Sequence, residues 1–194
     1  MANKTAHKAK MRETIVREAS FALRSKGING VSVAELMQRA GLTHGGFYAY
    51  YKTRDALVAD AIAAMFAGTG RMLDESLAGR PAKEGLSVLL DFYLSDGNVR
   101  NVEKGCAIPA LSSEAGRMPE AARRNFEAGV QMFQTRLASA LKDAGHAEYE
   151  ALARSVLAEM VGAMTLARTM QDHTAAVAFV DAARADLKKR LGLG

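Results

Sequence analysis

The sequence has no tryptophan, one cysteine and three prolines in 194 residues. A single cysteine, Cys106, excludes an internal disulfide framework and any cysteine-built zinc site. No metal site and no cofactor is expected. Scarce proline leaves long segments free of helix breakers, and alanine, the cheapest residue in a helix and a poor one in a strand, occurs 37 times. The fold class these facts predict is all-α. A long apolar run is missing as well. The longest stretch without a charged residue, Ala40 to Tyr51, holds Thr43, His44 and three glycines, whereas a membrane-spanning helix needs about 20 mostly apolar residues. The early lysines are not followed by an apolar segment, so no signal peptide and no membrane partner is expected, and the expected compartment is the cytoplasm. A hydrophobic fraction of 49% beside 24% charged residues excludes a disordered chain.

What is present is uneven charge. Residues 1–55 carry ten Lys+Arg and four Asp+Glu, a net +6, while residues 56–194 carry a net −1. A basic first quarter on a near-neutral remainder points to a polyanion-binding head. A solvated tail bearing Lys4, Lys8 and Lys10 accounts for only part of it, since the segment without them is still at +3.

Helical spacing dominates the chain. A first helix is predicted from about Ala9 to Lys26, with Ile15, Ala19, Ala22 and Leu23 on one face and Gly27 as its stop. Ser32 and Glu35 have capping-box spacing and open a short helix through Val33, Leu36, Met37 and Ala40. Gly41 and Leu42 make a turn, and Thr43 is placed to cap a third helix of about two turns, ending near Tyr50. Thr53 and Asp55 open a helix reaching about Leu77. Pro81 suits a helix start, Asp96 to Asn98 read as a loop, and a short segment spans Cys106 to Glu114. A helix from Pro119 to about Leu141 and two more, about Ala147–Gln171 and Ala175–Leu191, bring the expected total to about nine.

Two short helices joined at Gly41 are a helix-turn-helix candidate. Such a unit needs an apolar face on the first helix, a residue that tolerates positive φ in the turn, and small or polar residues presented outward by the second helix. Val33, Leu36, Met37 and Ala40 meet the first demand, Gly41 the second, and Thr43, His44, Gly45 and Gly46 the third. Three of the five tyrosines, Tyr48, Tyr50 and Tyr51, stand beside Lys52 and Arg54. Hydroxyls and cations of this kind are common phosphate partners. Phe47 and Tyr51 are expected to pack inward instead. The paired glycines weaken the helix, each by about 0.8–1 kcal/mol against alanine, and leave room for close backbone approach to a groove.

Residues 9–60, above all Val33-Ala34-Glu35-Leu36-Met37-Gln38-Arg39-Ala40-Gly41-Leu42-Thr43-His44-Gly45-Gly46-Phe47-Tyr48, resemble the DNA-binding head of the TetR/AcrR family of bacterial transcriptional regulators. Tyr51 looks like the aromatic of that family's terminal His-Phe pair, and Thr53-Arg54-Asp55-Ala56-Leu57 is similar to its Ser-Lys-Glu-x-Leu stretch. The resemblance implies a homodimer with a three-helix DNA-binding head, residues 1–55, and a ligand-binding and dimerisation body, residues 56–194. It further implies a regulator, of the repressor kind, that binds a near-palindromic double-stranded DNA operator and is released by a small-molecule effector. Thr43, His44, Gly45, Tyr48, Tyr50 and Arg54 match family positions that approach DNA, and Lys52 joins them on its charge. Tyr50 stands for a frequent histidine and Arg54 for a frequent lysine; both keep the capacity to meet phosphate.

In the body, Leu152, Val156, Met160, Ala163 and Ala167 form one apolar stripe, with Leu157, Val161 and Met164 beside it. Such a helix must be covered on more than one side. With the last helix, through Val180 and Leu187, it forms half of a four-helix dimer bundle on the family reading; ordinary intrachain core explains the same pattern. The candidate interface residues are Leu152, Val156, Val161, Ala163, Ala167, Val180 and Leu187. Methionine adapts to irregular apolar shapes, which makes Phe92, Tyr93, Cys106, Phe126, Met132, Phe133, Met160 and Met164 the candidate pocket, although plain core filling accounts for any one of them. Two other functions compete. A constitutive DNA-binding protein without a ligand shares the head, and a cysteine-dependent enzyme would use Cys106 with His146 or His173 as base.

Overall fold

The computed structural model describes residues 2–193, with side chains from Thr5 onward, so Lys4 of the basic segment lies outside the described side chains. The described residues form nine α-helices, three 3-10 segments and no strand. The helices are α1 (Ala2–Lys26), α2 (Val33–Arg39), α3 (Arg54–Leu77), α4 (Ala82–Tyr93), α5 (Asp96–Arg100), α6 (Ala107–Leu111), α7 (Glu120–Asp143), α8 (Tyr149–Ala167) and α9 (His173–Leu191). The 3-10 segments are His44–Ala49, Val102–Lys104 and Ser112–Arg117.

The chain divides into two compact units that do not follow chain order. The first comprises residues 1–67 and 103–129, the second residues 68–102 and 130–194. The expected head, residues 1–55, lies wholly inside the first.

In the first unit, Ile15, Ala19, Ala22 and Leu23 of α1 are buried with Leu36 and Met37 of α2 and Leu57, Val58 and Ile62 of α3. The spacing expected of these helices is thus realised as core. Phe66 of α3 meets Phe126 of α7 edge-on at 5.4 Å, and its ring lies so close over Gly129 that a Cβ there would overlap it. α3 is long and apolar enough to cross a membrane by length and composition alone. Its buried Leu57, Val58, Ile62, Met65, Phe66 and Leu73 mark it as a core helix.

The segment that follows residue 102 is stitched to α1 and α2 by two carboxylates. Glu103 Oε1 accepts from Ser25 Oγ at 3.3 Å and from Arg39 Nη2 at 3.1 Å, and Arg24 Nη1 donates to the Glu103 carbonyl at 3.0 Å. Glu114 Oε2 accepts from the Ile28 N–H at 3.0 Å, directly over the turn after α1. At that turn Gly27 holds φ +77°, a conformation open to glycine at little cost.

In the second unit, Leu86, Leu89, Leu90 and Tyr93 of α4 are buried, as are Phe133, Leu137 and Leu141 of α7 and the inner faces of α8 and α9. Tyr93 and Phe133 meet edge-on at 6.0 Å. Arg184 of α9 donates to the Leu94 carbonyl at 2.7 Å, and Arg168 donates to that of Asn98 at 2.7 Å, so basic side chains close the end of α4 and of α5.

Several sequence expectations change. α1 begins at Ala2, not near Ala9, because nothing in Ala2 to Lys10 breaks a helix. Asp96 to Asn98 are helical, not loop: Ser95 Oγ accepts from the Asn98 N–H at 3.3 Å and starts α5. Pro81 precedes α4 as an extended cap residue at φ −53°, ψ 140°. The Ser32 box is half made. Ser32 Oγ accepts from the Glu35 N–H at 3.1 Å, but the Glu35 carboxylate turns to Lys26 Nζ at 2.5 Å.

Candidate nucleic-acid interface

The turn after α2 is built by one glycine. Gly41 takes φ +73° and its N–H donates to the Gln38 carbonyl at 3.0 Å, while the Leu42 N–H reaches back to Met37 at 2.8 Å. This pair of bonds is the Schellman ending, which satisfies two carbonyls that a helix end leaves open. The chain leaves the turn extended at Thr43, φ −78° and ψ 149°, and enters the 3-10 segment His44–Ala49. Thr43 makes no side-chain capping bond, contrary to the expected cap, and the expected two-turn helix is this 3-10 segment. Glycines at 45 and 46 supply little intrinsic helix preference to oppose the tighter winding.

One side of the segment is held from beneath. Phe47 is buried, stacks on Tyr51 at 6.1 Å and meets the Tyr48 ring edge-on at 5.4 Å. The other side is open. Thr43, His44, Gly45 and Lys52 are exposed, Tyr50 is half-buried, and Tyr48 is 77% exposed. Nothing of the chain lies within 4 Å of where a Cβ on Gly45 would stand, so no packing inside the chain demands a glycine there.

Arg54 is turned the other way. Its Nη2 donates to the Ile28 carbonyl and, at 3.1 Å, to the Val31 carbonyl, tying the start of α3 to the connection before α2. Sequence reasoning set Arg54 among the residues that approach DNA, and nothing in the local pattern signals a bond across 23 or 26 positions.

Sequence reasoning also missed the ring of polar bonds at the end of the segment. The Tyr51 hydroxyl donates to Asp60 Oδ2 at 2.9 Å and accepts from Arg12 Nε at 3.1 Å, and Arg12 Nη2 reaches the same Asp60 oxygen at 2.7 Å. The guanidinium also lies 4.7 Å from the centre of the Tyr51 ring. Burial pushes the Tyr51 hydroxyl up to about 12, because the phenolate would lose its water. The hydrogen bond from Arg12 works against that shift. The consequence is an alkaline dependence with a definite sign. The ordinary value is 10.0, so the folded state keeps a proton that the unfolded chain releases. Its contribution is complete below pH 10 and declines as pH rises toward 12, by roughly 2–3 kcal/mol in all at 1.36 kcal/mol per unit. Urea unfolding on either side of pH 10 should show a shallower decline for Tyr51→Phe; equal slopes for the two proteins would refute the assignment.

The candidate pocket residues divide between the units. Cys106, half-buried before α6, and buried Phe126 belong to the first. Tyr93, Phe133, Met160 and Met164, all buried, and half-buried Met132 belong to the second. Phe92 is 53% exposed because α4 turns Leu89, Leu90 and Tyr93 inward instead. A surface hollow of about 420 Å³ beside α7 and α8 is lined by polar side chains including Gln131, Lys142 and Arg154, and by none of the eight. Of the candidate interface residues, Val156, Ala163, Ala167, Val180 and Leu187 are buried within the chain itself, while Leu152 and Val161 are half-buried. Leu166 and Phe179, which the stripe did not include, are 53% and 38% exposed.

Comparison with known proteins bears on the whole chain. A model of bacterial regulatory proteins of the tetR family matches residues 15–61, and a model of the LmrA/YxaF-like transcriptional regulator C-terminal domain matches residues 59–179. An uncharacterized HTH-type transcriptional regulator of Mycobacterium tuberculosis is 29% identical over 106 residues, covering 54% of this chain and 53% of that protein. The transcriptional regulator AcuR of Cereibacter sphaeroides is 25% identical over 134 residues, covering 68% of this chain and 61% of AcuR. The match thus spans between half and two thirds of the length of these relatives. Among solved structures, a TetR transcriptional regulator from Chloroflexus aurantiacus superposes with a TM-score of 0.83 at 19% identity, covering 96% of each chain. Reduced NemR of E. coli gives 0.81 at 19% identity, covering 93% of this chain and 96% of that one.

Proposed function

The chain belongs to the TetR family of bacterial transcriptional regulators, and from that membership we propose that it is a ligand-responsive repressor that binds a near-palindromic operator as a homodimer. The observation that carries the reading is the two-sided recognition segment. Phe47 and Tyr51 fix it from within, while Thr43, His44, Gly45, Tyr48 and Lys52 stand open to solvent. Residues that fill no core but sit at one short segment are available to base edges and phosphates. A duplex selected from a random-sequence pool tests this. Thr43→Ala and His44→Ala should change which sequence is preferred, and retention of no duplex by the unaltered protein would sink the reading. The cytoplasm, where the DNA is, is the proposed compartment.

A single short segment reads few base pairs, so a second copy is needed to lengthen the site. With most of the expected stripe already buried in its own chain, the outward sides of α8 and α9 are the surface proposed for the partner. They carry Leu166 and Phe179 among the small Ala158, Gly162, Ala178 and Ala182, and small residues let helices approach closely. Leu166→Arg should therefore give a monomer with unchanged helix content. Ala167→Arg, at a site with no exposure, should instead unfold the second unit. Light scattering and circular dichroism check both, and a dimeric Leu166→Arg places the interface elsewhere.

Release by an apolar small molecule is the proposed switch, with Tyr93, Phe133, Met160 and Met164 as the lining most able to reshape around it. A ligand shifts DNA binding only by its difference in affinity for two states, and a coupling of about 1–3 kcal/mol means roughly 5–150-fold weaker binding. Glu103 and Glu114, which grip α1, α2 and the turn between them, are the proposed handles on the head. Family membership weighs against the enzyme alternative at Cys106. A constitutive DNA-binding protein would show operator affinity that no apolar compound alters.

A further inference from the structure

The basic residues of the head are mostly engaged inside the chain. Arg12 is held by Asp60, Arg17 by Glu18, Lys26 by Glu35, Arg39 by Glu18 and Glu103, and Arg54 by two backbone carbonyls. Among the described residues, Lys8, Lys10 and Lys52 have no ion pair, and all three are exposed.

Lys8 stands on a stretch of helix that the fold does not use. Thr5 to Lys10 are all exposed, and from Thr5 onward Met11 is the first residue of α1 to be half-buried and Ile15 the first to be fully buried. A helix of so few residues is not stable in water on its own, and this one covers no core. Its cations oppose the helix dipole at that end, so helix stability does not explain them. The first acidic residue in the sequence is Glu13.

The face matters. Lys8 precedes Arg12 by four positions and therefore lies on the same side of α1, about 6 Å farther along the axis. Arg12 bonds to the hydroxyl of Tyr51, next to Lys52 at the end of the recognition segment. Lys8 thus lies on the face of α1 that meets the end of the recognition segment, one turn beyond that contact. Lys10, two positions before Arg12, lies on nearly the opposite side of the helix.

We infer that Lys8, near the start of α1, holds a backbone phosphate of the duplex outside the bases that the helix-turn-helix reads. The inference rests on the DNA-binding reading above. A lysine is a flexible point charge suited to a phosphate, and a contact of this kind adds affinity for any sequence without reading it.

The built-in control is Lys10, which has the same charge, exposure and lack of an ion pair on the other side of the same helix. The measurement is affinity against salt, on a duplex selected from a random-sequence pool and on the same site trimmed to the recognised bases. On the long duplex, Lys8→Gln should lower the salt slope by about 0.9 for each phosphate that the protein no longer neutralises. It should weaken selected and mixed-sequence DNA alike. Lys10→Gln should do less than half as much, and Lys8→Arg should restore the unaltered behaviour. On the trimmed duplex, Lys8→Gln and the unaltered protein should bind equally. Equal effects of the two glutamine variants would mean that only net charge matters and would overturn the inference. So would a Lys8→Gln protein that binds the long duplex like the unaltered one. Retention of no duplex by the unaltered protein would instead overturn the DNA-binding reading itself.

Discussion

Phe47→Ala should abolish sequence-specific DNA retention and unfold the head at lower denaturant. The Phe47 ring is 2% exposed, stacks on Tyr51 and meets Tyr48 edge-on. Removing a buried phenyl ring costs about 3–5 kcal/mol, from lost transfer energy and from the cavity left behind. The cost falls where the chain has least in reserve, because two glycines and a 3-10 winding give His44–Ala49 little stability of its own. Tyr51 loses its stacking partner but keeps Arg12 and Asp60, so the damage should concentrate between Thr43 and Tyr50. Hydrogen exchange of the amides from Thr43 to Tyr51, beside gel retention, checks this. A variant that keeps both protection and sequence preference would show that the segment is held by something other than this ring.

Arg54→Ala separates two roles for one cation. If the guanidinium serves the fold, its loss strands the carbonyls of Ile28 and Val31, which it now satisfies together. Hydrogen bonds to charged groups contribute about 1.5–3 kcal/mol each, and a stranded polar group costs a similar amount. Arg54 is half-buried, and water can reach part of the gap, so roughly 2–3 kcal/mol is expected in all. Thermal unfolding should shift down while the salt slope of DNA binding stays nearly constant. If Arg54 instead holds a phosphate, stability should be unchanged and the slope should fall by about 0.9. Lys cannot present a planar fork to two carbonyls, so Arg54→Lys should restore little of the stability.

Much of the head was legible in the sequence because its determinants are local. A glycine at position 41 admits the positive φ that a Schellman ending requires, and Ser32 is placed three residues before the N–H that it caps. Phe47 and Tyr51 are buried, as the inward packing expected of them requires. The start of α1 was misplaced because residues 2–10 show no apolar periodicity, and Thr5 to Lys10, all exposed, leave none to read. The polar partnerships were out of reach. Arg12 with Asp60, Arg39 with Glu103 and Glu114 with Ile28 join residues 48, 64 and 86 positions apart, and no period in a sequence encodes such distances.

The same limit governs the body. Composition and helical spacing alone determined that this chain is all-α, that its first quarter is the basic part, and that α8 is apolar over much of its circumference. Those properties depend on residue type and on a 3.6-residue repeat, which every stretch of chain carries within itself. Which side of α8 is consumed inside the chain, and which side is left exposed, only the packing of α9 and its neighbours decided. Val156, Ala163 and Ala167 are buried there, and Leu166 is not, although it adjoins Ala167 in sequence. The direction of Arg54 was decided in the same way. A guanidinium on a half-buried helix start can face solvent or carbonyls equally well until the backbone of residues 28–31 is brought within its reach.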